Sequence, residues 1–220
     1  MNTDLKNVLQ RHFACSPEIA DSIGRHALDR QFPPRAVILK QGDRAGSTFL
    51  LLTGRAHAMA FGVTGTLVLL YEYLPGDFFG ALLQTDIAPE ESEVVAVEHA
   101  RTAIFLALDF LSLAELHGCV GLAVSRALLR QLRAASTMMV KRSTISAVGR
   151  VYAELLRQAR QGDGRTVRPA PVLSKLALRA QTTRETVSRA INNLERRGLI
   201  RRGSGTLIIV APDRLEDMIV

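Results

Sequence analysis

Toward the C-terminus, apolar positions recur with helical period in two successive short stretches. Leu173, Leu176, Ala177 and Ala180 share one face of a first helix, and Val187, Ile191 and Leu194 share one face of a second. The stretch Leu173 to Ile200 therefore predicts two short helices around a tight turn, each with a polar outer face. Thr182 and Thr183 can each cap the second helix through a hydroxyl that accepts from its first-turn amides, and Thr182 with Glu185 has the spacing of a capping box. Gly198 is a natural stop. Leu199-Ile200 and Thr206 to Val210 then read as two strands joined by a turn at Arg201-Arg202-Gly203-Ser204-Gly205, and Pro212 to Glu216 as a closing helix start. The pattern is a winged helix-turn-helix.

Upstream the pattern changes twice. A helical stretch from Thr3 to Leu28 gives way, between Val37 and Leu108, to short apolar runs separated by glycine turns at Gly42, Gly54, Gly62, Gly65 and Gly76. Many short strands at this spacing predict a sandwich or jelly roll. Phe78 to Leu83 reads as one helical turn interrupting the strands. A long helix is expected from about Ala114 to Ser143, with Leu128, Leu132, Ala135 and Met139 spaced four, three and four, as in a seam between two helices packed along their length. That stripe suits either an intramolecular core or a dimer. The polar residues Lys141 to Thr144 follow as a hinge; Val148, Val151, Leu155 and Leu156 begin another amphipathic helix, and residues 162–171 form a loop. The expected fold class is α+β, with a jelly-roll or β-roll sensor domain and dimerisation helix over 1–143 and a winged helix-turn-helix over 144–220.

Charge sharpens this division. Residues 141–220 carry sixteen Lys and Arg against seven Asp and Glu, whereas residues 1–140 carry twelve against fourteen. A positive field confined to the C-terminal part suits a polyanion and makes its binding salt-dependent. In a helix-turn-helix the N-terminal residues of the second helix meet base edges in the major groove, which here places Arg184, Glu185, Ser188 and Arg189 against bases. Arginine forks match guanine and glutamate accepts from cytosine, although Glu185 could instead act as a capping carboxylate. Arg201 and Arg202 suit phosphates equally as well as a solvated turn, and Lys175 and Thr182 are further candidate phosphate contacts. A carboxylate among base-facing residues argues against a low-specificity DNA-coating protein, because it repels phosphate unless it finds its cytosine.

Several classes are excluded or disfavoured. No nucleophile elbow, zinc-protease helix, phosphate-binding glycine loop or Cys-x-x-Cys occurs, so no enzyme is expected. Cys15 and Cys119 are too few for a four-thiolate metal site and are expected as buried free thiols; a redox pair would require their Cα atoms within about 7 Å. Neither a charged stretch followed by an apolar signal core nor an uninterrupted apolar run near twenty residues is present; the longest apolar stretch, Thr102 to Leu116, carries Asp109 and Glu115. The expectation is a cytoplasmic protein with no membrane contact, no metal and no cofactor.

Assembled in order, the whole chain resembles the Crp/Fnr family of bacterial transcription regulators. The resemblance is carried by Gln41-Gly42-Asp43, by Phe49 to Leu52 ending at Thr53-Gly54, by Pro75-Gly76-Asp77-Phe78-Phe79-Gly80, by Ala147 to Ala153, and above all by Thr183-Arg184-Glu185-Thr186-Val187-Ser188-Arg189. It implies a homodimer on double-stranded DNA with inverted TGTGA-like or TTGA-like half-sites. Arg184 and Arg189 would contact guanines, Glu185 a cytosine, and Thr183 and Thr186 phosphates. It also implies RNA polymerase as a partner.

The sequence departs from the family in two places. Gln181 occupies the turn position where the family often has glycine; a left-handed conformation there would cost roughly 1 kcal/mol and is tolerable. Members that bind cyclic AMP resemble one another in a Gly-Glu-Leu segment and an Arg-Ser-Ala or Arg-Thr-Ala segment whose arginine neutralises the cyclic phosphate. Here these read Gly80-Ala81-Leu82-Leu83 and, within residues 90–96, an acidic stretch without arginine. Cyclic AMP should bind poorly or not at all, because a phosphate buried beside carboxylates lacks compensation. Arg101 could supply a rescue charge or remain a solvated strand arginine. Phe79, Gly80, Ala81, Leu82, Arg101, Ser136 and Thr137 are the expected effector pocket. The alternatives are another nucleotide, an apolar ligand, or haem on His57, His99 or Cys119, whereas the iron–sulfur branch needs an N-terminal cysteine cluster that Cys15 alone cannot provide.

Overall fold

The protein is described here by a computed structural model covering residues 3–44, 46–61, 67–83 and 89–219. The expected turn glycines Gly62 and Gly65 lie outside the described residues. The chain forms two compact units, Met1–Ala135 and Ser136–Val220.

The first unit opens with two helices, α1 (Thr3–Phe13) and α2 (Pro17–Arg25), where one stretch to Leu28 was expected. Ser16 caps α2 by accepting from the Ile19 amide at 3.5 Å with Pro17 at the first helical position, which separates the helices; Leu28 already belongs to a strand. The strands are β1 (Leu28–Phe32), β2 (Val37–Leu39), β3 (Ser47–Thr53), β4 (Ala56–Phe61), β5 (Leu67–Tyr73), β6 (Phe78–Gly80), β7 (Glu93–Ala96) and β8 (Ala100–Leu106). They make two four-stranded antiparallel sheets in the orders β1-β8-β3-β6 and β2-β7-β4-β5. Strand β3 reads Phe49-Leu50-Leu51-Leu52 without alternation because both of its faces are covered. Phe49 and Leu51 join the cluster shared by the two sheets, while Leu50 and Leu52 pack with Leu9, Ile23 and Phe110 from the helices.

The same alternation corrects the reading of Phe78 to Leu83 as a helical turn. Phe78 faces the helical cluster and Phe79 the inter-sheet cluster, so the pair is strand, and the chain turns only afterwards, with Leu83 at φ 53°. Gly54 must be glycine: φ is +82° and a Cβ would lie 2.3 Å from the His99 carbonyl oxygen. The expected long helix is α4 (Gly118–Thr144), which starts four residues later than expected because a separate helix, α3 (Ala107–Leu116), precedes it and ends at His117, whose backbone is extended. Cys15 and Cys119 are free thiols packed against the helical cluster, and burial, with the Cys119 thiol beside it, pushes the Cys15 pKa up.

The second unit contains α5 (Ala147–Ala159), β9 (Thr166–Val167), α6 (Leu173–Ala180), α7 (Arg184–Arg196), β10 (Ile200–Gly203), β11 (Thr206–Ile209) and α8 (Pro212–Asp217). Its core joins Val151, Leu155 and Leu156 of α5 to Leu176 of α6, Val187, Ile191 and Leu194 of α7, and Leu207 and Ile209 of β11. Arg201 and Arg202 lie in β10, paired with Ile208 and Leu207, so the turn is shorter than expected. The loop expected over 162–171 contains β9, which makes the sheet three-stranded in the order β10-β11-β9; two residues are too few to show periodicity. Among the described residues no single helix is long and apolar enough to cross a membrane.

Two outcomes follow from this packing. Leu194→Ala, at a fully buried position, should destabilise the second unit by about 2–5 kcal/mol in urea unfolding followed by exchange at its amides. Asp163 accepts from Thr166 Oγ1 at 2.7 Å and from the Arg165 amide at 2.9 Å, and these bonds, the Thr166 hydroxyl foremost, hold its pKa down at about 2. Because the folded value is depressed, the turn's stabilisation should be present above about pH 4 and lost as pH falls toward 2. Asp163→Asn should remove that part of the acid dependence, as read from urea midpoints across this range.

Candidate nucleic-acid interface

The turn between α6 and α7 is set by local chemistry. Gln181 caps α6 in the left-handed conformation, φ 49° and ψ 54°, as a turn position usually reserved for glycine requires. The Thr182 amide then bonds back to the Ala177 carbonyl at 3.0 Å. Thr183, not Thr182, caps α7: its hydroxyl accepts from the Thr186 amide at 3.2 Å and lies 3.1 Å from the Thr186 hydroxyl. The capping box from Thr182 to Glu185 is therefore not formed. Glu185 sits at the second helical position, exposed and without a hydrogen bond or ion pair among the described residues.

Burial orients the helix. Val187, Ala190, Ile191 and Leu194 face the core, which turns Arg184, Glu185 and Arg189 outward as exposed side chains with Ser188 half-buried beside them. Lys175, on the outer face of α6, and Arg201, on the wing, are likewise exposed, and none of Arg184, Arg189, Lys175 and Arg201 is ion-paired among the described residues. Arg202 is placed differently. Its guanidinium donates to Asn192 Oδ1 at 2.6 Å and lies 3.1 Å from Glu195 Oε2, tying the wing to α7. Thr182, Thr183 and Thr186 surround the N-terminus of α7, where amides and helix dipole favour a phosphate.

Sequence reasoning missed the far side of this helix. Val148, expected in the core, is exposed, and with Tyr152, Arg189, Asn192, Asn193 and Arg196 it lines a groove of about 730 Å³ between α5 and α7. No periodic signal marks a groove made from the ends of two apolar stripes.

Within the first unit the expected effector residues face in different directions. Phe79 stacks on Phe49 with centroids 5.1 Å apart and on Tyr73 at 4.8 Å, and Tyr71 meets Tyr73 at 5.0 Å, so aromatic rings run through the space between the sheets. Burial, foremost, and the Asp77 carboxylate push the Tyr71 hydroxyl up to about 12. Gly80 adopts φ +84° against the Ser47 carbonyl, Ala81 is buried, and Leu82 packs toward the helical cluster on the other face. Arg101 is neither solvated nor available as a rescue charge: its side chain is 15% exposed, and it forks onto Asp29 at 2.9 and 2.7 Å and also pairs with Asp4. Those bonds, with Asp29 first, raise its pKa. Glu90 is half-buried, and that burial pushes its pKa up. Ser136 and Thr137 are exposed on α4, within the Ser136–Val220 unit.

The seam residues are exposed as well. Leu128, Leu132 and Met139 are 44%, 63% and 73% accessible, and Ala135 is exposed. Within the first unit Leu128, Leu129, Leu132 and Ala135 line a groove of about 510 Å³ with Leu70 and Tyr71 of β5.

Comparison with known proteins matches residues 149–218 to the Crp-like helix-turn-helix domain and residues 29–117 to the cyclic nucleotide-binding domain. The cyclic AMP receptor protein of Thermus thermophilus is 30% identical over 210 residues, covering 92% of this chain and 93% of that protein. Among solved structures, a transcriptional regulator of the CRP/FNR family from the same organism superposes with a TM-score of 0.65 at 21% identity, covering 87% of this chain and 97% of the other. A c-di-GMP-responsive global regulator from Xanthomonas campestris gives a TM-score of 0.74 at 16% identity, covering 88% and 99%; at that identity the likeness concerns the fold.

The observed capping separates two mutants. Thr183→Ala should destabilise the second unit by about 0.5–2 kcal/mol in urea unfolding, whereas Glu185→Ala, at an exposed position with no cap bond, should stay within about 0.5 kcal/mol of the parent.

Proposed function

The chain belongs to the Crp/Fnr family and is a transcription regulator with a helix-turn-helix DNA-binding domain, and from that premise we propose that it binds an inverted repeat of TGTGA-like or TTGA-like half-sites as a homodimer without requiring cyclic AMP. The observation that carries the DNA reading is the outer face of α7. Thr183 does the capping, which leaves Glu185 beside Arg184 and Arg189 with no intramolecular role. Arg184 and Arg189 then read guanines and Glu185 a cytosine, with Ser188 between them. Lys175, Thr182, Thr183, Thr186 and Arg201 hold phosphates, while Arg202, held against α7 by Asn192 and Glu195, meets phosphate from that place.

The dimer reading is supported by the exposed leucines of α4, which a second copy of the same helix would cover. The functional boundary on this reading falls at 143/144, after the dimerisation helix, and the protein works in the cytoplasm, where its DNA target is.

Independence from cyclic AMP is supported by what fills the roll. Aromatic rings occupy the inter-sheet space, Arg101 is neutralised by two aspartates, and the segment 90–96 offers carboxylates to any phosphate. A buried anion needs a compensating cation, and these residues supply none.

The test is fluorescence anisotropy at physiological salt with no effector added. A duplex with inverted TGTGA half-sites should bind at least about a thousandfold more tightly than random duplex. Glu185→Gln should relax discrimination at one base pair by about 1–3 kcal/mol. Specific binding that appears only with cyclic AMP would overturn the effector reading, and equal affinity for both duplexes with and without it would overturn the half-site assignment.

A further inference from the structure

The connection between α4 and α5 is two residues long, Ile145 and Ser146, and it is heavily constrained. Ser146 caps α5 by accepting from the Gly149 amide at 3.0 Å. Gly149 has no room for a side chain, since a Cβ would stand 2.4 Å from the Ile219 carbonyl oxygen and 2.9 Å from Ile145 Cγ2. On the next residue, Arg150, the guanidinium donates to three backbone carbonyls in two separate segments. Nη1 reaches Ile145 at 3.0 Å, Nε reaches Ala180 at 2.9 Å, and Nη2 reaches Gln181 at 3.0 Å.

Those carbonyls share one property. Ile145 follows the last residue of α4, Ala180 is the last residue of α6, and Gln181 is its cap. The final carbonyls of a helix lack intrahelical partners and carry the negative end of its dipole, so one planar cation joins two helix ends that otherwise require separate caps. The position penalises charge, because burial and the nearby Arg142 both lower the Arg150 pKa. A second contact has the same sense: the Gln181 side-chain amide reaches Met138 Sδ on α4.

We propose that Arg150 is the positioning residue that locks the end of α4, whose last turns belong to the second unit, to the turn before the recognition helix, so that α7 keeps a fixed angle to those turns rather than swinging on the Ile145-Ser146 connection. The stretch Lys141 to Thr144, expected as a hinge, is itself the last turn of α4. Lysine cannot replace it, since an ammonium lacks the fork that spans carbonyls on both sides. In the homodimer proposed above, this lock sets the distance between the two recognition helices and hence the spacing of half-sites the protein accepts.

The test compares full-length parent and Arg150→Lys by two measurements. The first is hydrogen exchange of the free protein. The amides of Ile145, Gln181 and Thr182 are bonded at 3.0, 3.2 and 3.0 Å and should exchange at least about tenfold faster in the variant, while the buried α7 positions Val187 and Ile191 keep the parent rate. The second is anisotropy on inverted repeats whose half-site spacing is changed by one base pair. The parent should discriminate strongly, and Arg150→Lys should lose most of that discrimination while keeping its affinity for a single half-site. Unchanged exchange at Ile145 and the turn overturns the proposal. So does a loss of protection across the whole unit, Val187 and Ile191 included, which would make Arg150 a general stabiliser. The spacing measurement rests on the homodimer reading and the exchange measurement does not, so a parent protein indifferent to spacing removes that reading while the lock is judged on exchange alone.

Discussion

The interface depends on the burial of one stripe of α7. Val187, Ile191 and Leu194 are almost completely withdrawn from water against α5, α6 and the wing, and each such burial is worth about 1.5–3 kcal/mol. The threonine cap contributes only about 1 kcal/mol beside that, so it fixes where the helix starts while the stripe fixes which way it faces. Arg184, Glu185 and Arg189 are presented outward because the hydrophobic side is committed inward. Their outward presentation is a consequence of rotation about the helix axis, imposed by the buried residues of the opposite face.

The sensor unit shows the same economy of faces in a sheet. Strand β3 serves two clusters at once, with alternate residues packing toward the opposing sheet and toward the helices. The strand pair Phe78 and Phe79 repeats this division across the partner strand β6. Aromatic rings fill the inter-sheet space from Phe49 to Tyr71, and Arg101 fastens β8 to β1 and α1 through Asp29 and Asp4. In this unit, whose pattern matches the cyclic nucleotide-binding domain, the rings of Phe49, Tyr71, Tyr73 and Phe79 pack against one another within the inter-sheet cluster.

Charge and capping divide their labour in the second unit. The exposed arginines supply a diffuse attraction to a polyanion, screened by salt and indifferent to sequence. Arg150 and Arg202 belong to the same basic count yet act inside the domain, one on helix ends and the other between wing and recognition helix. Net charge alone cannot separate these roles, since an arginine that joins helices and an arginine that meets phosphate have the same composition.

Features with a local physical cause were legible in the sequence. The stripes of α5, α6 and α7, the stop at Gly198, the left-handed turn at Gln181 and the glycine-punctuated strands all follow from periodicity or backbone preference over a few residues. The choice between Thr182 and Thr183 as cap and the break at His117 did not, because there local hydrogen bonds select between alternatives that the sequence leaves open. The strand character of Phe78-Phe79 and the third strand at Thr166-Val167 did not either, because each is settled by a partner strand distant in sequence. The fate of Arg101 and the fork of Arg150 belong to the same class. Asp4 lies 97 residues from Arg101 and Gln181 lies 31 from Arg150. Sequence determined which stretches become helix or strand and which faces are apolar; tertiary structure decided which charged side chains remain outside for DNA, because only folding determines which of them find a partner within the chain.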